Sequence, residues 1–144
     1  MILTSFVEKF NEMSRMRIRG LKDGIILESS TAYVNSLSND LTFQRRDSKE
    51  VVVTINPSRG NSIDTMMFSA AGAFGSGTVG LLYAGVRQDG VRGFEKIREN
   101  RGTTILAGRK DYFLPDSNEE VLKRDLVDHI LDESDIPFFI GGLF

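Results

Sequence analysis

The chain has 144 residues, with 18 Lys and Arg against 20 Asp and Glu for a formal charge of −2, a size that fits one domain able to bury a core without staples. It has no cysteine and a single histidine, His129. That excludes a disulfide framework and a thiolate metal site, and argues against structural zinc and against cysteine or serine–histidine catalysis within one chain.

Met1 leads into Ile2, Leu3 and Thr4 with no basic segment, long apolar run or small-residue cleavage site, so a cytoplasmic protein is expected. Leu3, Phe6, Val7, Phe10 and Met13 share one helical face, and Ser5 with Glu8 reads as a capping box. A short amphipathic helix opens the chain. Asp23-Gly24, flanked by Ile18, Ile25 and Ile26, predicts a first hairpin. Leu41 to Arg46 alternates apolar and polar, and Val51 to Ile55 has the strongest strand composition in the chain. Asn56-Pro57 ends that strand, and residues 56–61 read as an irregular loop.

Residues 65–86, TMMFSAAGAFGSGTVGLLYAGV, carry no charged side chain over 22 positions. Burial, a membrane or a partner surface could explain that. The portion to Phe74 is expected to pack as a helix or strand, residues 72–80 to form a flexible glycine-rich loop, and Leu81 onward to enter a second hairpin. That hairpin would turn at Asp89-Gly90 between Leu81–Arg87 and Val91–Ile97. Gly75, Gly77 and Gly80 match G-x-G-x-x-G, a candidate phosphate site with Glu99 as a candidate ribose acid, although no lysine follows the glycines. A membrane-inserting role for the segment is a further alternative, weakened by its five glycines.

Thr103 to Ala107 and Tyr112 to Leu114 read as two more short strands. A last helix starts at Asp116 or Ser117 with Glu119 or Glu120 completing the cap, carries Leu122, Leu126, Val127, Ile130 and Leu131 on one face, and is expected to end between Asp132 and Ser134. His129 on it, among Asp125, Asp128 and Asp132, reads as a solvated helix-end histidine rather than a general base or metal ligand.

Residues 87–110 hold seven basic side chains against three acids, whereas residues 111–144 hold nine acids against Lys123 and Arg124. Such segments attract each other within one molecule or between copies. The chain then finishes on Phe138, Phe139, Ile140, Leu143 and Phe144, an apolar tail (136–144) read either as a final strand on its own sheet or as an arm into a neighbour.

These features predict a single α+β domain over residues 1–144, a mainly antiparallel sheet of about five to seven strands with an amphipathic helix at each end. The expected function is a non-enzymatic assembly subunit, such as a virion tail, baseplate or connector component. It would bind protein partners through Phe138, Phe139, Ile140, Leu143, Phe144 and Phe74, with no cofactor and no nucleic acid. A small phosphate- or nucleotide-binding module or enzyme built on Gly75, Gly77 and Gly80, and a membrane-active protein inserting residues 65–86, are the alternatives.

Overall fold

The structure is a computed structural model, and it describes residues 2–36, 38–83, 87–108 and 116–143. The elements in chain order are α1 (Ile2–Met13), β1 (Arg17–Gly20), β2 (Thr31–Val34), β3 (Asn39–Arg45), β4 (Val51–Pro57), α2 (Ser62–Phe74), a 3-10 turn (Gly75–Gly77), β5 (Val79–Leu82), α3 (Val91–Glu99), β6 (Thr103–Ala107), α4 (Asp116–Lys123), β7 (His129–Leu131) and α5 (Ile136–Gly141).

Parallel pairing dominates. β1 pairs with β2 in parallel, β5, β6 and β7 form a three-stranded parallel sheet in that order, and among the described strands β3 and β4 are the antiparallel pair. The expected mainly antiparallel α+β sheet is therefore corrected to an α/β arrangement. Both Asp-Gly pairs misled the hairpin reading. Gly24 does take a positive φ of 75°, but its N–H bonds to the Val53 carbonyl at 2.8 Å while Asp23 Oδ1 accepts the Ile55 N–H at 2.8 Å. The turn thus lays the following residues against the edge of β4, where Ile26 bridges Val52. At the second pair, Gly90 (φ 105°) starts α3 instead of returning a strand.

The ends of the chain also differ from expectation. α1 already runs at Ile2, so Ser5 and Glu8 lie inside it and form no cap; Asn11 instead holds the end of α1 to β1 through the Ile18 N–H (2.8 Å) and carbonyl (2.6 Å). The last predicted helix breaks at Lys123. Asp125 adopts φ 53° and the Leu126 N–H bonds back to Val121 at 2.9 Å. His129 to Leu131 then pair with Ile105 to Ala107 as β7. Their apolar residues fit a helical face and a buried strand equally well, and β6 decides between them. Within the apolar tail, Ile136–Gly141 form α5 rather than a strand, with Pro137 in its first turn, where a missing N–H costs nothing. Tyr112 to Leu114 and Phe144 lie outside the described residues.

Residues 65–82 of the charge-free stretch run through α2, the 3-10 turn and β5; Met67, Ala71, Ala73, Thr78, Gly80 and Leu82 are buried in this chain, while Phe68, Phe74 and Val79 are exposed. Met67 and Ala71 of α2 join Leu82, Val91, Phe94, Ile97, Leu106 and Val121 in one buried cluster. Among the described residues no helix is long and apolar enough to cross a membrane. Helices α2 and α3 approach closely because Gly93 has no side chain: a Cβ there would stand 2.6 Å from Met67 Cβ. Gly93→Ala is accordingly expected to destabilise the fold by about 1–3 kcal/mol, read as a lower urea midpoint with unchanged slope.

Candidate functional site

That close approach brings together two carboxylates the sequence keeps 25 residues apart. Asp64 is the third residue of α2, and Asp89 sits in the turn between β5 and α3. Asp64 Oδ1 accepts the N–H of Gly90 (2.9 Å) and of Gly93 (2.7 Å). Asp89 returns the contact, with Oδ1 on the Asp64 N–H (2.8 Å) and Oδ2 on the Ile63 N–H (3.1 Å). Each acid thereby satisfies orphan donors at the positive end of the other's helix.

The two environments differ. Asp64 is only 8% exposed. Burial raises its pKa above the ordinary value and proximity to Asp89 adds to the rise, while the Gly93 and Gly90 N–H groups and Arg92 oppose it. Asp89 is half-buried, and no described cation forms an ion pair with it. The strands β5, β6 and β7 are parallel, so their C-terminal ends share one edge, and Asp89 lies in the loop that leaves β5 there. Clefts at such edges are where open α/β sheets bind ligands. The turn itself is strained: Arg87 (φ 53°) and Gln88 (φ 63°) are consecutive left-handed residues ahead of Gly90.

A second polar corner lies close by. Asp40 of β3 accepts the Ser62 hydroxyl (2.8 Å) and the Arg59 N–H (3.1 Å), and Ser58 Oγ meets Ser62 Oγ at 2.6 Å. Burial alone would raise Asp40, but these bonds outweigh it and hold the carboxyl below the usual range. A cleft of about 280 Å³ floored by Asp64 separates Thr42 of β3 from Arg92 of α3. Among the described residues no hydroxyl, imidazole and carboxylate are joined by hydrogen bonds, and no three His, Asp or Glu side chains are grouped to hold a metal ion.

The residues singled out by sequence land elsewhere. Gly75 closes α2 with φ 57° and donates to the Ala71 carbonyl; Gly77 ends the 3-10 turn; Gly80 lies in β5 against Ile97 and Phe94. The order is helix, turn, strand, the reverse of a phosphate loop, and Gly75 and Gly77 sit at the carbonyl end of α2, which repels anions. Glu99 pairs with Lys96 at 3.0 Å at the far end of α3. Phe74 packs edge-on to Phe43 (6.3 Å) beneath Arg45. In the tail, Phe138 is 84% and Leu143 42% exposed, Ile140 is half-buried, and the Phe139 ring meets the His129 ring at 4.7 Å, tilted by 53°. No ring contact joins Phe74 to that tail among the described residues.

His129 thus belongs to β7 and its aromatic neighbour, and Asp128 holds Thr104 and Arg98 (2.7 Å). Arg98–Asp128 pairs a cation of the basic segment with an acid of the acidic one, whereas Arg124–Glu95 joins the minority charges of the two segments, both within this molecule. Sequence reasoning missed Asp64 altogether and took Asp89 for a hairpin turn. Their signals were present: an acid in the first turn ahead of an apolar run at 62–74, and Val91, Phe94 and Ile97 at helical spacing after Asp89-Gly90.

Comparison with known proteins gives this geometry a context. The family model for CheB methylesterase matches residues 2–140. A protein-glutamate methylesterase/protein-glutamine glutaminase of Pyrococcus abyssi is 25% identical over 137 residues, spanning 92% of this chain and 37% of that protein. One from Methanospirillum hungatei is 28% identical over 138 residues, spanning 90% and 40%. The chain therefore covers well under half the length of these relatives. The crystal structure of the Thermotoga maritima CheB methylesterase catalytic domain matches with a TM-score of 0.82 at 19% identity, over 97% of this chain and 76% of that one. These findings correct the expectation of a non-enzymatic, virion-type assembly subunit, because the similar proteins are named for hydrolytic activities. The same match supports the α/β fold with parallel sheets.

Proposed function

This chain belongs to the CheB methylesterase family, and on that premise we propose that it forms the carboxylate side of an active site that hydrolyses side-chain methyl esters of protein glutamate and side-chain amides of protein glutamine. The observation that carries the reading is the mutual capping of Asp64 and Asp89 at the C-terminal edge of the parallel sheet.

Both reactions attack a γ-acyl carbon, pass through a tetrahedral oxyanion, and release methanol or ammonia to leave a glutamate carboxylate. Such chemistry uses an attacking group, a base that takes its proton, and commonly an acid that orients the base and stabilises its charged form. Asp89 suits the third role. Its oxygens are each fixed by a backbone N–H, so the group cannot swing away, and it keeps lone pairs and partial exposure toward the sheet edge. Asp64 is a positioning residue that holds the Asp89 turn through Gly90 and Gly93. Among the described residues no hydroxyl or imidazole is hydrogen-bonded to Asp89, and the reading assigns only the acid. A protein substrate and a cytoplasmic setting are part of the proposal.

The test is methanol release from a peptide carrying a γ-methyl glutamate, followed by enzyme-coupled detection, with loss of one methylene in the peptide mass as the second readout. Turnover that depends on Asp89 is the expected result. Absence of methanol and of ammonia from the glutaminyl peptide, with the chain folded, counts against the assignment.

A further inference from the structure

We infer that the cleft between the 87–90 turn and the end of α4 recognises acidic side chains flanking the target residue of a polypeptide substrate, with Arg87 and Arg92 as the carboxylate-binding groups. The inference rests on the hydrolase reading for the nature of the substrate and on the cleft for the rest.

The cleft has a volume of about 350 Å³ and is lined by Asp64, Arg87, Arg92, Glu95 and Arg124 among others. Its three guanidinium groups are not equivalent. Arg124 is already engaged by Glu95 (2.8 Å) and Glu120 (2.6 Å). Arg87 and Arg92 have no carboxylate within ion-pair distance among the described residues. Arg92 lies in the first turn of the nine-residue α3, where the helix field adds to its attraction for an anion. The cleft is also next to the proposed reaction site, since Asp64 on its floor donates its backbone N–H to Asp89.

Arg87 has a second distinguishing property. It holds φ 53° next to Gln88 at φ 63°, a conformation that glycine takes without strain and that costs other residues about 1–2 kcal/mol each. Arg101 and Asp125 are single left-handed residues that follow α3 and α4, and Ser30 is one that precedes β2. Residues 87 and 88 are consecutive. Arg87 is exposed, so packing does not repay its strain. A guanidinium kept where glycine would be easier is accounted for by a ligand, and the fork geometry of arginine matches a carboxylate bidentately. In this proposal the carboxylates are those of acidic residues beside the target residue of the polypeptide.

Fluorescence anisotropy with the full chain tests this without turnover. The probes are a labelled peptide with a central γ-methyl glutamate flanked by glutamates and its counterpart flanked by glutamines. The Glu-flanked peptide is expected to bind about tenfold more tightly at low salt, with the preference shrinking as salt screens the exposed charges. Arg87→Gly and Arg92→Gln should each remove most of that preference. Arg87→Gly should also raise the melting temperature by about 1–3 °C. Arg101→Gly is the control: the same relief of strain, with the preference intact.

Equal affinity for the two peptides, a preference that survives in the Arg87→Gly/Arg92→Gln double variant, or displacement of the peptide by an equal concentration of oligonucleotide overturns the inference. A charge preference without methanol release upholds the cleft and counts against the hydrolase reading. Methanol release with charge-blind binding does the opposite.

Discussion

Replacing Asp89 with asparagine lowers kcat for methanol release by about 10³–10⁴-fold, with KM changed by no more than about threefold. The expected size follows from the role. An acid that orients a base and stabilises its protonated form acts mainly as charge develops, so its loss appears in kcat rather than in substrate affinity. The variant should fold. Asparagine can still accept one of the two N–H bonds that Asp89 takes from Ile63 and Asp64, but its amide nitrogen faces the other donor, at a cost of about 1–2 kcal/mol. Stopped assays of methanol release over a substrate series, beside a urea melt of the same preparation, separate the two effects. A fall in kcat of less than about tenfold with an intact fold would remove Asp89 from the reaction. Disruption of the fold by Asp89→Asn would make its role structural.

The legibility of this molecule in its sequence divides along the range of the interactions. The antiparallel pair β3–β4, the buried strand β6 and the N-terminal helix were readable because periodicity and β-branched composition act within a few residues. Parallel pairing was not readable, because the partner of Val79 is Thr103 and that of Arg17 is Thr31, and no local signal specifies such matches. Asp-Gly illustrates the ambiguity: the positive φ it supplies serves a hairpin, a strand-docking turn at residue 24 or a helix start at residue 90 equally well. The last helix failed for the converse reason. Leu126 to Leu131 satisfy a helical face locally, but β6 offers them a ladder and Asp125 leaves the helix.

The site was harder still. Asp64 alone is an ordinary first-turn acid of an apolar helix, and Asp89 alone an ordinary turn residue. Their chemistry comes into being only when Gly93 lets α3 lie against Met67 of α2. In the sequence Arg92 is one of the seven basic residues of 87–110, and nothing local points to the cleft that gives it a use.

Asp64 carries the prediction that tests the geometry most directly, through two substitutions with opposite results. Asp64→Ala leaves the N–H groups of Gly90 and Gly93 without their acceptor in a buried corner, which should cost about 2–4 kcal/mol and loosen the Asp89 turn. Asp64→Asn keeps an acceptor oxygen in the same place and removes only the charge. Because burial holds the folded pKa of Asp64 above its ordinary value of 3.8, the charged form is less favourable in the folded protein than in the unfolded chain. The neutral isostere should therefore be at least as stable as the native protein at pH 7. Between 3.8 and the higher folded value the folded state binds more protons, so this group's contribution to stability rises as pH falls through that window. Asp40 and Asp128 oppose it: both are held below 3.8 by hydrogen bonds that outweigh burial, and their contribution is lost as pH falls toward their folded values. The native protein and Asp64→Asn share those two groups, so the difference between them isolates Asp64 and should vanish on acidification. Urea melts of both from pH 3.5 to 8 measure it. An Asp64→Asn variant as unstable at pH 7 as Asp64→Ala, or a gap that widens toward acid, would mean that the carboxylate stabilises the interlock as an ion. Asp64 would then hold the Asp89 turn by charge as well as by shape.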